Sequence, residues 1–152
     1  MRQHFGIALL LAACSATPPP ESAAPAPEPP AGVALLTVEI EGLASGEGLV
    51  AFALYADAVS YAGDGEPLRR ALLTPAQSAG GWTVADLPYG RYAAKAYHDE
   101  NGNRRLDTGP FGAPTEPYGF SNGARGRFGP PPFEEAAFEV AEPEVAIRIR
   151  LR

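Results

Sequence analysis

The sequence predicts an all-β fold: an antiparallel β-sandwich of about seven short strands, transthyretin-like or immunoglobulin-like, with one long ordered loop. Three observations carry that prediction. From Val33 onward, apolar residues recur with a period of two in run after run. Seventeen glycines and seventeen prolines punctuate 152 residues, which suits turns and penalises helices. No segment sustains a helical period.

The chain divides into residues 1–13, 14–32 and 33–152. Arg2 precedes the apolar run Phe5 to Leu11. That run is too short to cross a bilayer as a helix but fits the core of a signal peptide. Leu11-Ala12-Ala13-Cys14 resembles the bacterial lipobox, in which the cysteine is lipidated and the chain is cut just before it. The resemblance implies a lipid on Cys14 and a membrane as its partner. The other reading is ordinary signal cleavage that leaves a free thiol. Ser15 stands where aspartate would retain a lipoprotein in the inner membrane. The implied location is therefore the outer membrane, facing the periplasm. Cys14 is the only cysteine, which excludes an internal disulfide and a cysteine zinc site. Thr17 to Gly32 is a proline- and alanine-rich linker, expected to be extended and semi-rigid with a reach of roughly 50 Å.

The strands follow in order. Leu36, Val38 and Ile40 alternate with Thr37, Glu39 and Glu41. Val50, Phe52 and Leu54 alternate with small residues. Leu68 to Leu73 suits a helical turn or an edge strand, and strand is favoured. Trp82 and Val84 mark another strand. In Leu87-Pro88-Tyr89-Gly90, proline presets φ and Gly90 is expected to take a positive φ before a strand that runs to His98. Phe138 and Val140 form a strand, with Glu142-Pro143-Glu144 as the turn into the last one. That last strand has Val145, Ile147, Ile149 and Leu151 on one face and Arg148, Arg150 and Arg152 on the other. Two facing sheets would bury these apolar side chains. A small closed barrel is the alternative.

Thr108 to Pro132 breaks the pattern, with Gly, Pro, Asn and aromatics and no strand signal. Structureless loops longer than about 15 residues are usually functional or disordered. Tyr118, Phe120, Phe128 and Phe133 argue for order, with the aromatics tucked inward.

Net charge is −6, which argues against nucleic acid as a partner, since that needs a dense basic surface. Lys95 is the single lysine among twelve basic residues, a bias read as compositional.

The chemistry-bearing stretch is Asp99 to Asp107. Asp99, Asn101 and Asn103 occupy positions one, three and five of an EF-hand-like loop. Arg105 would offer its carbonyl at seven, and Asp107 fills nine. Arg104 then stands at six, where a sharp turn wants glycine, and Pro110 stands at twelve, where a bidentate glutamate belongs. Glu100 or Glu116 is a candidate for the missing carboxylate. Two readings stay open: a calcium site, and an ion-free turn held by Asx hydrogen bonds.

Other constellations carry less. His98 and Asp99 are neighbours on a strand and point to opposite faces, so they form no dyad. His98 is expected to bond the long loop. Ser121 in Gly119-Phe120-Ser121-Asn122-Gly123 lacks the strand-to-helix context of a nucleophile elbow. Arg125 and Arg127 sit in a glycine-rich run that opens no helix, so they grip an anion or solvate the loop.

The ordered string His98 to Asn103, Leu106-Asp107, Gly112 to Asn122, Phe128 to Pro131 and Phe133 to Ala136 resembles a bacterial envelope family, domain of unknown function 2141. The resemblance spans about Leu35 to Leu151. The family's pattern has glycine where this chain has Arg104. The Leu87-Pro88-Tyr89-Gly90-Arg91-Tyr92 turn is more loosely similar to transthyretin-like and collagen-binding sandwich modules. What the resemblance implies is an exported β-domain without a mechanism. The expected role is a binding or structural accessory module of the cell envelope. Its partner would be an envelope protein, a glycan or a peptide. Its surface would lie on the loop end, with Glu116, Tyr118, Phe120, Asn122, Arg125, Arg127 and Phe128. The alternative is a metal-dependent periplasmic hydrolase using the carboxylates of residues 99–116.

Overall fold

The computed structural model describes residues 31–152. The expected signal peptide, Cys14 and the linker up to residue 30 lie outside the described residues. The fold is mostly β, with two sheets of three and five strands. The three-stranded sheet runs β4 (Trp82–Pro88), β1 (Val33–Glu41), β8 (Glu144–Arg150). The other runs β3 (Arg69–Leu73), β2 (Leu49–Tyr55), β5 (Gly90–Asp99), β6 (Tyr118–Phe120), and β7 (Phe138–Val140) also pairs with β5. Leu68 to Leu73 thus resolves as a strand.

The period-two pattern explains the layers. Leu36, Val38, Phe52, Leu54, Val84 and Ile149 all point between the sheets and are at most 5% exposed. Trp82 closes the same core, its ring centroid 4.1 Å from that of Phe52. Each such fully buried side chain contributes about 1.5–3 kcal/mol. A second cluster of Tyr61, Ala93, Phe133 and Ala136 covers one end of the outer face of the five-stranded sheet.

Four expectations are corrected. The sandwich is not wholly antiparallel, because β8 lies parallel to β1 in unbroken register from Leu35↔Glu144 to Glu41↔Arg150. The reason is that Glu142-Pro143 is no hairpin turn. It carries the chain from β7 in one sheet to β8 in the other, and the Leu35 N–H donates to the Pro143 carbonyl at 2.8 Å. The described residues form eight strands, and β6 lies inside the segment expected to be one long loop. Gly90 takes no positive φ; the nearest one, Asp86 (φ 52), lies within β4 at the bulge where its register with β1 shifts. Finally, the cationic face of β8 is neutralised in part. Arg148 pairs with Glu39 and Glu41, and Arg150 with Glu41, across the parallel ladder. These exposed pairs set register more than they stabilise.

The sheets meet along one edge. Tyr118 and Arg152 exchange both backbone hydrogen bonds, at 3.1 and 3.0 Å, while the Leu151 N–H donates to Glu41 on the other side. Gly119 permits this approach, since a Cβ there would lie 2.5 Å from the Arg150 carbonyl oxygen. At the opposite edge the short helix α1 (Pro75–Ser78) links β3 to β4, and Thr74 and Gln77 form a capping box at its start. A second short helix, α2 (Phe133–Ala136), follows the long connection.

Candidate functional site

The loop after β5 closes on itself. Asp99 is fully buried, and its Oδ1 accepts the N–H groups of Gly102 and Asn103 at 2.8 and 3.0 Å. Its Oδ2 accepts the Arg104 N–H at 2.6 Å. Asn101 and Asn103 accept N–H bonds from residues 103 and 105, forming successive Asx turns. Their amide nitrogens donate to the two oxygens of Asp107 at 2.6 and 2.9 Å. The spacing noted in the sequence therefore does gather these side chains. What it gathers are oxygens already engaged by the loop's own donors. Among the described residues no group of three or more His, Cys, Asp or Glu is placed to hold a metal. Arg104 adopts φ +64, the left-handed conformation for which glycine is suited.

Glu116 has a role that the spacing alone did not show. Its carboxylate is 6% exposed and bridges the N–H of Glu100 and that of Asp107, each at 2.9 Å. One side chain thus ties both ends of the loop. His98 is fully buried, and its backbone N–H donates to the Pro117 carbonyl of the long segment at 2.8 Å, as expected, while its ring bonds a different loop. Its Nδ1 accepts the Ala44 N–H at 3.2 Å, which leaves Nε2 to donate to the Glu47 carbonyl at 2.7 Å. This is the arrangement of a neutral ring with a single tautomer. Ser121 is likewise buried, accepting the Ala94 N–H and donating to the Ala136 carbonyl. It pins β5 to α2 and is not available as a nucleophile.

The remaining loop residues divide. Tyr118 and Phe120 pack edge to face, centroids 5.8 Å apart. Asn122 takes φ +57 and donates to the Glu135 carbonyl. Arg125 joins Arg150 and Arg152 beside a small cleft of about 280 Å³. Phe133 is tucked inward as expected, but Phe128 is not: it is fully exposed, as is Phe111, and Arg127 beside it is exposed too. The chain neighbours of Phe128 are the exposed Arg127 and Gly129, neither of which offers the ring an apolar wall.

A larger concavity lies elsewhere, on the outer face of the five-stranded sheet, with a volume of about 770 Å³. Because Val50, Phe52 and Leu54 point inward, Ala51 and Ala53 point out and form a low floor along β2. Two cross-strand rows span the floor, and their members on β3, β5 and β6 build the walls. One is Leu72, Ala51, Tyr97, Tyr118, and the other is Arg70, Ala53, Lys95, Phe120. Leu106 and Arg104 reach the rim from the loop described above, and Tyr55 stands at the other end. A trough one strand wide results, mostly apolar.

Lys95 is its central cation. The ammonium donates to the Tyr61 carbonyl and lies 4.1 Å from the Tyr61 ring centroid and 5.0 Å from that of Tyr55. Among the described residues it takes part in no ion pair, whereas Arg70 is paired with Glu66. Burial lowers its pKa from the ordinary 10.5. Burial also raises Tyr97, helped by the charges of Asp99 and Glu116. Sequence reasoning missed this trough. The signal was present: one lysine in a chain that otherwise uses arginine, flanked by alanines and facing an Ala-x-Ala strand.

A family model described as an uncharacterized protein conserved in bacteria (DUF2141) matches residues 38–148. No curated protein and no solved structure matches.

Proposed function

This chain belongs to the bacterial family DUF2141, and we propose that it is an exported, lipid-anchored binding module of the cell envelope, with the trough over β2 as its ligand surface. The observation that carries the reading is a preformed concavity of about 770 Å³ on an otherwise ordinary sheet face, floored by alanines and walled by aromatics and cations. Pre-formed clefts of several hundred Å³ with a few convergent polar groups are where small ligands bind. The export and anchoring part rests on the Leu11-Ala12-Ala13-Cys14 resemblance. Among the described residues no helix is long and apolar enough to cross a membrane. The transthyretin-like part of the reading rests on the Leu87 to Tyr92 turn.

The hydrolase alternative draws little support from the geometry. Of the carboxylates it would use, Asp99 and Glu116 are committed to five backbone N–H groups between them, and Asp107 accepts from the Asn101 and Asn103 amides. Calcium belongs to the proposal as a loop-stabilising ion that would displace the Asn101 and Asn103 donors from Asp107. An unchanged Tm at millimolar calcium removes it. The binding reading is tested by screening the protein against glycan and peptide panels and small amphiphiles, beside Ala53→Leu, which fills the floor. Ligands lost on Ala53→Leu support the trough. A full set of ligands retained by that variant refutes it.

A further inference from the structure

Building on the proposed binding role, we infer that the trough takes a carboxylate on an unbranched acyl chain, with the carboxylate on Lys95 and the chain lying along β2 over Ala53 and Ala51. Leu72 and Arg70 on β3 and Tyr97 and Lys95 on β5 flank a single strand, so the two wall backbones stand roughly 9.6 Å apart, two strand spacings. Side chains occupy part of that span, and the space left over the alanine floor is one chain wide.

Polar accounting then selects the occupant. An extended peptide in the trough would turn N–H and C=O groups toward an apolar floor that is the face of a sheet, not its edge. Those groups would lose water and find few partners, a cost that bound ligands avoid. Sugar hydroxyls meet the same difficulty. An acyl chain has no such groups along its length and gains from every methylene buried.

Charge completes the match. Lys95 is half-buried, its ammonium is backed by the Tyr55 and Tyr61 rings, and only one protein oxygen accepts from it. An ammonium has three donors. No carboxylate of the described residues pairs with it, although eighteen acidic residues against twelve basic ones make the chain acidic overall. A desolvated cation at the centre of an apolar trough is complementary to one anionic group with an apolar body.

The test uses the full-length Cys14→Ala chain, which carries no lipid to compete, and the probes acetate, octanoate, dodecanoate and 1-octanol, all below micelle-forming concentration. Calorimetry gives affinity. Lysine labelled with carbon-13 at Cε gives one resonance, because the chain has one lysine. The expected result is affinity that rises about tenfold for each pair of added methylenes, with the Lys95 resonance shifting on binding of either long carboxylate. Lys95→Gln should weaken octanoate at least about tenfold, as expected for loss of a charge-assisted bond, and leave 1-octanol unchanged. Ala53→Leu should weaken both. Equal binding of acetate and dodecanoate, or octanoate binding unaffected by Lys95→Gln, overturns the inference. If no acyl carboxylate binds but a peptide or glycan is lost on Ala53→Leu, the acyl class falls and the binding role stands. If no ligand of any class responds to Ala53→Leu, both fall.

Discussion

Arg104 holds φ +64 at the tightest point of the Asp99 loop. An L-residue there costs roughly 1–2 kcal/mol, which glycine avoids while giving back part in unfolded-state entropy. Arg104→Gly should therefore stabilise the protein by about 1 kcal/mol. The check is a higher denaturant midpoint with an unchanged slope; a lower midpoint would mean that the guanidinium makes contacts outweighing the strain. Tyr61 offers a second case at the same scale. Its hydroxyl is buried with no hydrogen-bond partner, while its ring packs edge-on against Tyr55 and Phe133. Tyr61→Phe keeps the ring and removes the unsatisfied group, and should gain about 1 kcal/mol in the same denaturation measurement. A loss of stability would show that the hydroxyl is solvated after all.

Elements here are tied by single polar side chains. Asp99 ends β5 and organises the loop through three N–H groups, and Glu116 then staples the loop shut. Asp99→Ala leaves those donors orphaned and should cost about 3 kcal/mol. The loss should localise, so hydrogen exchange at residues 100–107 should accelerate more than in β1 or β8. Uniform acceleration would instead mean that the loop and the sheets open as one unit. The Asx spacing was legible in the sequence because short Asp and Asn side chains at alternate positions reach the backbone and side chains of their near neighbours. The Glu116 staple was not, because it joins positions sixteen and nine residues apart, and no local pattern marks such a pair.

For the whole molecule, the trough sets a pH signature. Burial lowers Lys95 below 10.5, so between its folded value and 10.5 the unfolded chain holds the extra proton and stability rises with pH. Tyr55, Tyr61, Tyr92 and Tyr97 are raised above 10.0 by burial, so above that pH the unfolded chain loses protons first and stability falls. Lys95→Met isolates the lysine. Relative to wild type its Tm should be most favourable near neutral pH, and the difference should shrink as pH approaches 10. A difference independent of pH would remove the desolvation argument. At the same scale, Cys14→Ala should move the protein from the membrane fraction to the soluble one; continued sedimentation with membranes would contradict anchoring through that thiol.

The sequence by itself marked every strand but β6, the inward-facing residues of those strands and the alternating Asp and Asn positions of the loop, with a calcium site and an ion-free turn both left open, since each of these is set by neighbours within a few residues. Tertiary structure decided the rest. It laid β8 parallel to β1, found β6 inside an apparent loop, turned Phe128 outward and set Lys95 between two tyrosines above an alanine floor. Those outcomes depend on which strands become neighbours, and pairing across sheets is fixed by the packing of the whole chain and not by the local alternation that marks each strand.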